Sequence, residues 1–194
     1  SLEGARERMR AGRINTSTEP TYAINMECDG VSARLYKPIY RVTKDDLEKK
    51  INVRHIPANA ESEAKYAEAS ELDGDAGLMG LCIFIHGGGW VVGDVDCYDD
   101  VCAKMANQSG ACILSLEYRL APEHPFPAPL DDCIAATRWA YNFAETFGCD
   151  PKKMLISGDS AGGNLATLVA QYAFVPLLRQ ILIYPVTDCY RPLK

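Results

Sequence analysis

Ser160 sits in "LISGDSAGGNLATL", Leu155–Leu168, between small residues and at the end of an apolar run. The pentad Gly158-Asp159-Ser160-Ala161-Gly162 has the form G-x-S-x-G, extended by Gly163. A strand-like stretch precedes it and a helix-like stretch follows, and in that context the motif carries a nucleophile on a strained corner. Glycines two places away are required because side chains there would collide across so tight a turn. The free N–H groups and the positive dipole end of the following helix face the same spot. A serine opening a helix also reads as a simple cap. A second segment tips the balance towards chemistry. "HGGGWVVGD", His86–Asp94, directly follows the apolar run "LCIFI". Consecutive glycines at a strand end let the backbone approach a ligand closely. The N–H groups of Gly87, Gly88 and Gly89, with that of Ala161, could then receive negative charge forming beside Ser160. A phosphate loop is disfavoured because no G-K-[ST] follows.

A serine hydroxyl attacks well only when a base removes its proton. The chain has three histidines, His55, His86 and His124, and none follows Ser160. Asp188 is the one acid after Ser160 and reads as a strand-end turn residue. His86 adjoins the glycine run, His124 lies among prolines, and His55 borders a polar stretch; each fits a structural role better than that of a base.

The elements that must position these residues alternate. Ala5–Arg13 is charged and helix-prone. "TYAINMEC" and "VSARLYKP" flank Asp29-Gly30 and predict a β-hairpin. Residues from about 41 to 77 form a polar, Ala/Glu/Ser-rich stretch, expected to be a mobile surface insertion. From Leu78 onwards, apolar strand runs ("LMGLCIFI", "ACILSL", "KMLISG", "QILIYP") alternate with helical spacing ("DVCAKMANQ", "LDDCIAATRWAYNFAETF", "AGGNLATLVAQYA"). This predicts an α/β fold with a mainly parallel, doubly wound sheet and an N-terminal antiparallel hairpin. The expected organisation is an N-terminal helical segment over 1–20 and one α/β domain over 21–194.

Four motifs, "HGGGW", "YRLAPEHPFPAPLDD" (Tyr118–Asp132), "GDSAGGNLA" and "LIYPVTD", occur in this order. Together they closely resemble the hormone-sensitive-lipase-like branch of the α/β-hydrolases, which includes carboxylesterases and arylacetamide deacetylases. The resemblance is strong over about 78–188. It implies a serine carboxylesterase without metal or cofactor, with Ser160 as nucleophile and the backbone N–H groups of Gly88, Gly89 and Ala161 as oxyanion donors. It assigns Tyr118, Arg119, Glu123 and His124 to a scaffold bracing the sheet edge, and Glu117 stands where the family often has Asp. In that family the acid and histidine lie farther along, in motifs this chain lacks. The chain therefore reads as the N-terminal two-thirds of a hydrolase, with weak or no activity alone and an open sheet edge at "QILIYP" suited to self-association. A binding protein that kept the fold without the base, as the gibberellin receptors do, and a non-functional fragment are the competing readings.

Composition limits the partners. With 20 basic and 26 acidic residues the net charge is −6, which does not favour nucleic acid. No apolar run reaches the ~20 residues of a membrane span. Eight scattered cysteines without a C-x-x-C pair argue against zinc and are expected to be mostly reduced and buried. The expected partner is a small-molecule ester. The expected location is cytoplasmic; the chain does not begin with Met, which leaves secretion open.

Overall fold

The structure is a computed structural model and describes residues 1–11, 22–42 and 77–188. In chain order its main elements are α1 (Leu2–Ala11), β1 (Tyr22–Cys28), β2 (Val31–Lys37), β3 (Met79–Ile85), α2 (Asp99–Ser109), β4 (Cys112–Leu116), α3 (Ala128–Phe143), β5 (Cys149–Asp159), α4 (Ala161–Tyr172) and β6 (Arg179–Ile183). The expected insertion falls almost wholly on residues 43–76, which lie outside the described residues.

The six strands form one sheet in the order β1-β2-β4-β3-β5-β6. β1 and β2 are the predicted hairpin; Asp29 and Gly30 both take positive φ, 53° and 81°, as a two-residue turn of this type demands. β2 pairs antiparallel with β4, and the remaining pairs, β4-β3, β3-β5 and β5-β6, are parallel. The mainly parallel sheet with an antiparallel hairpin is thus borne out.

β3 shows why its sequence is apolar throughout. Leu81, Ile83 and Ile85 enter the core under α3 and α4, while Cys82 and Phe84 enter the smaller core under α2 with Cys102, Ala103 and Ala106. A strand covered on both faces has no solvent side on which to place polar residues. Each fully buried aliphatic side chain of this kind contributes about 1.5–3 kcal/mol. The parallel strands present their carboxyl ends on one side of the sheet, and there β3 runs into the glycine loop and β5 into Ser160.

A buried cation ties the hairpin to the start of α2. Arg34 of β2 bonds to Asn25, to Asp96 at 2.8 Å and to Asp99, and Tyr36 Oη joins it on Asp99. Of the cysteines, Cys28, Cys82, Cys102, Cys112, Cys133 and Cys149 are buried free thiols, and Cys97 is half-buried. Cys189 lies outside the described residues. Among the described residues β6 pairs with β5 alone, and it carries exposed apolar side chains on both faces: Ile181 and Leu182 are 48% and 36% exposed. The open edge expected at "QILIYP" is present among the described residues.

Candidate active site

Ser160 is the junction between β5 and α4 and has φ 52° and ψ −119°. Few non-glycine residues adopt such a backbone, and it costs about 1–3 kcal/mol. The corner is held by backbone bonds: Ser160 N–H donates to Ile183 O at 3.0 Å, and Ser160 O accepts from Asn164 and Val186 N–H. The neighbouring glycines are there for space. A Cβ on Gly162 would lie 2.0 Å from Ile85 O, one on Gly158 would lie 2.5 Å from Gly162 C, and one on Gly163 would lie 2.9 Å from Pro185 Cβ. The end of β3 therefore packs directly on the first turn of α4. Ser160 itself is half-buried, so its hydroxyl is reachable.

Three consecutive peptides of the glycine loop are each locked in orientation. The His86–Gly87 peptide is held at both ends: His86 O accepts from Tyr118 Oη at 2.8 Å, and Gly87 N–H donates to Asp159 Oδ1 at 2.8 Å. The Gly87–Gly88 peptide is held by His86 Nδ1, 2.8 Å from Gly87 O. A carbonyl only accepts, so Nδ1 carries the proton. The Gly88–Gly89 peptide is held by Val91 and Val92 N–H, both donating to Gly88 O at 3.1 and 3.0 Å. In a trans peptide the N–H points opposite to its C=O. The N–H groups of Gly88 and Gly89 are thus aimed away from the groups that hold their carbonyls. Among the described residues neither they nor Ala161 N–H donates to any acceptor.

Gly87 is corrected by this geometry. The sequence reading placed it among the anion-stabilising donors, but its N–H is engaged by Asp159 and lies 3.2 Å from Tyr98 Oη. It braces the loop, and Gly88, Gly89 and Ala161 keep unoccupied N–H groups.

Asp159 and Tyr98 were missed in the sequence. Asp159 occupies an x of G-x-S-x-G, yet its carboxylate is 7% exposed and joins the serine corner to the glycine loop. Tyr98 Oη donates to Asp159 Oδ2 at 3.0 Å. Burial, and next the adjacent carboxylate, push the Tyr98 phenol well above its ordinary range, so it remains a donor. A polar residue between two glycines was the available signal; its partner, far along the chain, was not.

The histidines sort clearly. His86 is fully buried, its ring stacks on Tyr118 at 4.3 Å, and its Nε2 has no hydrogen-bond partner. Burial holds its pKa below the ordinary value. It makes no bond to Ser160. His124 is exposed and borders a cleft of about 450 Å³ with Arg6, Arg10 and Glu117, of which Ser160 is not part. His55 lies outside the described residues, and Asp188 is exposed. The "YRLAPEH" residues brace the glycine loop and its flank rather than the sheet edge: Tyr118 binds His86 O, Arg119 pairs with Asp132 at 2.6 Å, and Glu123 pairs with Arg6. Glu117 accepts from Val95 N–H at 2.6 Å just past the loop.

A serine on a strand-to-helix corner, beside a glycine loop at the next strand's carboxyl end, is a hydrolase arrangement. A family model described as the alpha/beta hydrolase fold matches residues 82–194. The chain belongs to that family. Among the relatives of this chain is carboxylesterase NlhH of Mycobacterium tuberculosis, 45% identical over 111 residues, 55% of this chain and 35% of that protein. Ethyl acetate hydrolase of Pseudomonas putida is 41% identical over 126 residues, 61% of this chain and 40% of that one. The hyperthermophilic esterase of the archaeon Pyrobaculum calidifontis superimposes with a TM-score of 0.74 at 29% identity, over 95% of this chain and 53% of that one. This chain thus spans about 35–40% of the length of these curated relatives. Among the described residues no helix is long and apolar enough to cross a membrane, and no group of His, Cys, Asp and Glu is arranged to hold a metal.

Proposed function

We propose that the protein is a serine carboxylic ester hydrolase acting on small-molecule esters. Ser160 Oγ attacks the ester carbonyl carbon. The oxygen that becomes negative is received by the N–H groups of Gly88, Gly89 and Ala161; the alcohol leaves, and water then hydrolyses the acyl-serine. Each such donor, preorganised, contributes about 3–4 kcal/mol to the transition state. The observation that carries this reading is the Asp159–Gly87 bond. It holds the loop bearing two unengaged amides against the residue immediately before Ser160. The class of substrate follows from the relatives, one named a carboxylesterase and another for ethyl acetate.

Oγ also needs a proton acceptor, and no described residue is hydrogen-bonded to it. The reading therefore assigns the acceptor to a residue outside the described set. The same observation supports a second reading, a ligand-binding relative that keeps the pocket without turnover. A fluorophosphonate probe and intact-mass measurement separate the two. An adduct on Ser160, absent in Ser160→Ala, supports the hydrolase. No adduct together with saturable binding of a small ester analogue supports the binding protein.

Two further points belong to this reading. The six buried described thiols, Cys28, Cys82, Cys102, Cys112, Cys133 and Cys149, form no disulfide, as expected of a reducing cytoplasm. The open edge of β6, with Ile181 and Leu182 exposed, would let two chains pair strand to strand; analytical ultracentrifugation of wild type against Ile181→Lys tests it.

A further inference from the structure

α1 has no fully buried residue, although Leu2, Ala5 and Met9 are half-buried. Among the described residues its polar contacts with the body run through Arg6 and Arg10. Arg6 is 17% exposed and donates four hydrogen bonds: to Val91 O at 3.0 Å through Nε, to Ala121 O at 3.3 Å, and to both oxygens of Glu123 at 3.0 and 2.8 Å. Among the described residues Arg10 reaches Asp94 and Glu3. Arg6 therefore closes a bridge that Ala121 begins, since Ala121 N–H already donates to Trp90 O at 2.8 Å. The residue it grips, Val91, is one of the two whose N–H groups orient the Gly88–Gly89 peptide.

We propose that Arg6 is a positioning residue: it clamps Val91 to the Ala121–Glu123 loop and so keeps the turn over Gly88 closed, which sets the direction of the Gly89 N–H. Arg suits this task because its planar fork is permanently charged and bonds a carboxylate and carbonyls together. The Glu123 carboxyl is held down at about 2, chiefly by its hydrogen bonds with Arg6, so the pair stays ionised far below neutral pH. The clamp is independent of the ester reading; only the chemical readout below rests on that reading.

The test compares wild type with Arg6→Gln, Arg6→Lys and Arg10→Ala by amide hydrogen exchange at Val91 and Val92, the two donors to Gly88 O. Loss of charge-assisted bonds of this kind corresponds to about tenfold faster exchange at both amides in Arg6→Gln. Arg6→Lys should fall between, and Arg10→Ala should match wild type. Phosphonylation of Ser160 by a fluorophosphonate should slow in the same order. Unchanged exchange in Arg6→Gln overturns the proposal. So does equal acceleration at Ile83 and Leu114, which would show only a general loss of stability. Equal loosening in Arg10→Ala overturns it too, since docking of α1 would then suffice. If wild type forms no adduct, the ester reading fails while the exchange data still decide the clamp.

Discussion

Replacing Gly162 by alanine adds one methyl group where two chain segments touch. Its carbon would lie 2.0 Å from Ile85 O, 2.5 Å from His86 O and 2.7 Å from His86 C. Close C···O contacts sit at about 3.3 Å, so the first turn of α4 and the end of β3 must separate by about 1.3 Å. Neither side can yield by rotating a side chain, because every atom met is backbone. Overpacking of this kind costs about 1–3 kcal/mol, and this site belongs at the upper end. Removing a glycine from a helix returns at most about 1 kcal/mol. The net loss is about 2 kcal/mol, or about 4–8 °C in Tm for a chain of this size. The movement also carries Ser160 and Ala161 away from the glycine loop, and a misplacement of about 1 Å costs about 100-fold in rate. Thermal unfolding followed by circular dichroism, with the phosphonylation rate of Ser160 measured in parallel, checks both halves. Tm within 1 °C of wild type (well below the ~4 °C expected) together with an unchanged labelling rate would refute the account of these glycines.

Three other outcomes follow from the same geometry. Ser160→Gly should abolish the probe adduct yet raise stability by about 1 kcal/mol, because glycine tolerates φ 52° without strain; a fall in Tm would contradict the strained corner. The buried His86 has a folded pKa below its unfolded value of about 6.5, so the unfolded chain takes up the proton first. Its contribution is complete above pH ~6.5 and declines as pH falls below that, and Tm against pH should lose this limb in His86→Asn. Iodoacetamide should alkylate Cys97 first among the described cysteines, while Cys28 and Cys82, pushed up to about 12 mainly by burial, react only after denaturation; peptide mapping reads the order.

Much of the fold was legible because its signals are local. The continuous apolar runs of β3 and β4, the Asp29-Gly30 turn and the helical spacing of α2 to α4 each depend on residues within one element. The site was legible in part for the same reason: G-x-S-x-G and the glycine run are short words with a steric meaning. The role of each amide was not. Gly87, Gly88 and Gly89 are identical in the sequence, and only the packing of Asp159 against Gly87, of His86 Nδ1 against Gly87 O and of Val91 and Val92 against Gly88 O tells the brace from the unengaged donors.

Residue types and spacing alone thus determined the α/β class, the serine corner and the presence of an anion-receiving loop, because sterics and hydrophobic periodicity act over a few residues. Tertiary structure alone decided which N–H groups remain available, that Asp159 and Tyr98 join the two motifs, and that Arg6 reaches Val91 across 85 positions. Those are hydrogen bonds between distant segments. Their direction depends on how whole strands and helices settle against one another, which no local stretch of sequence specifies.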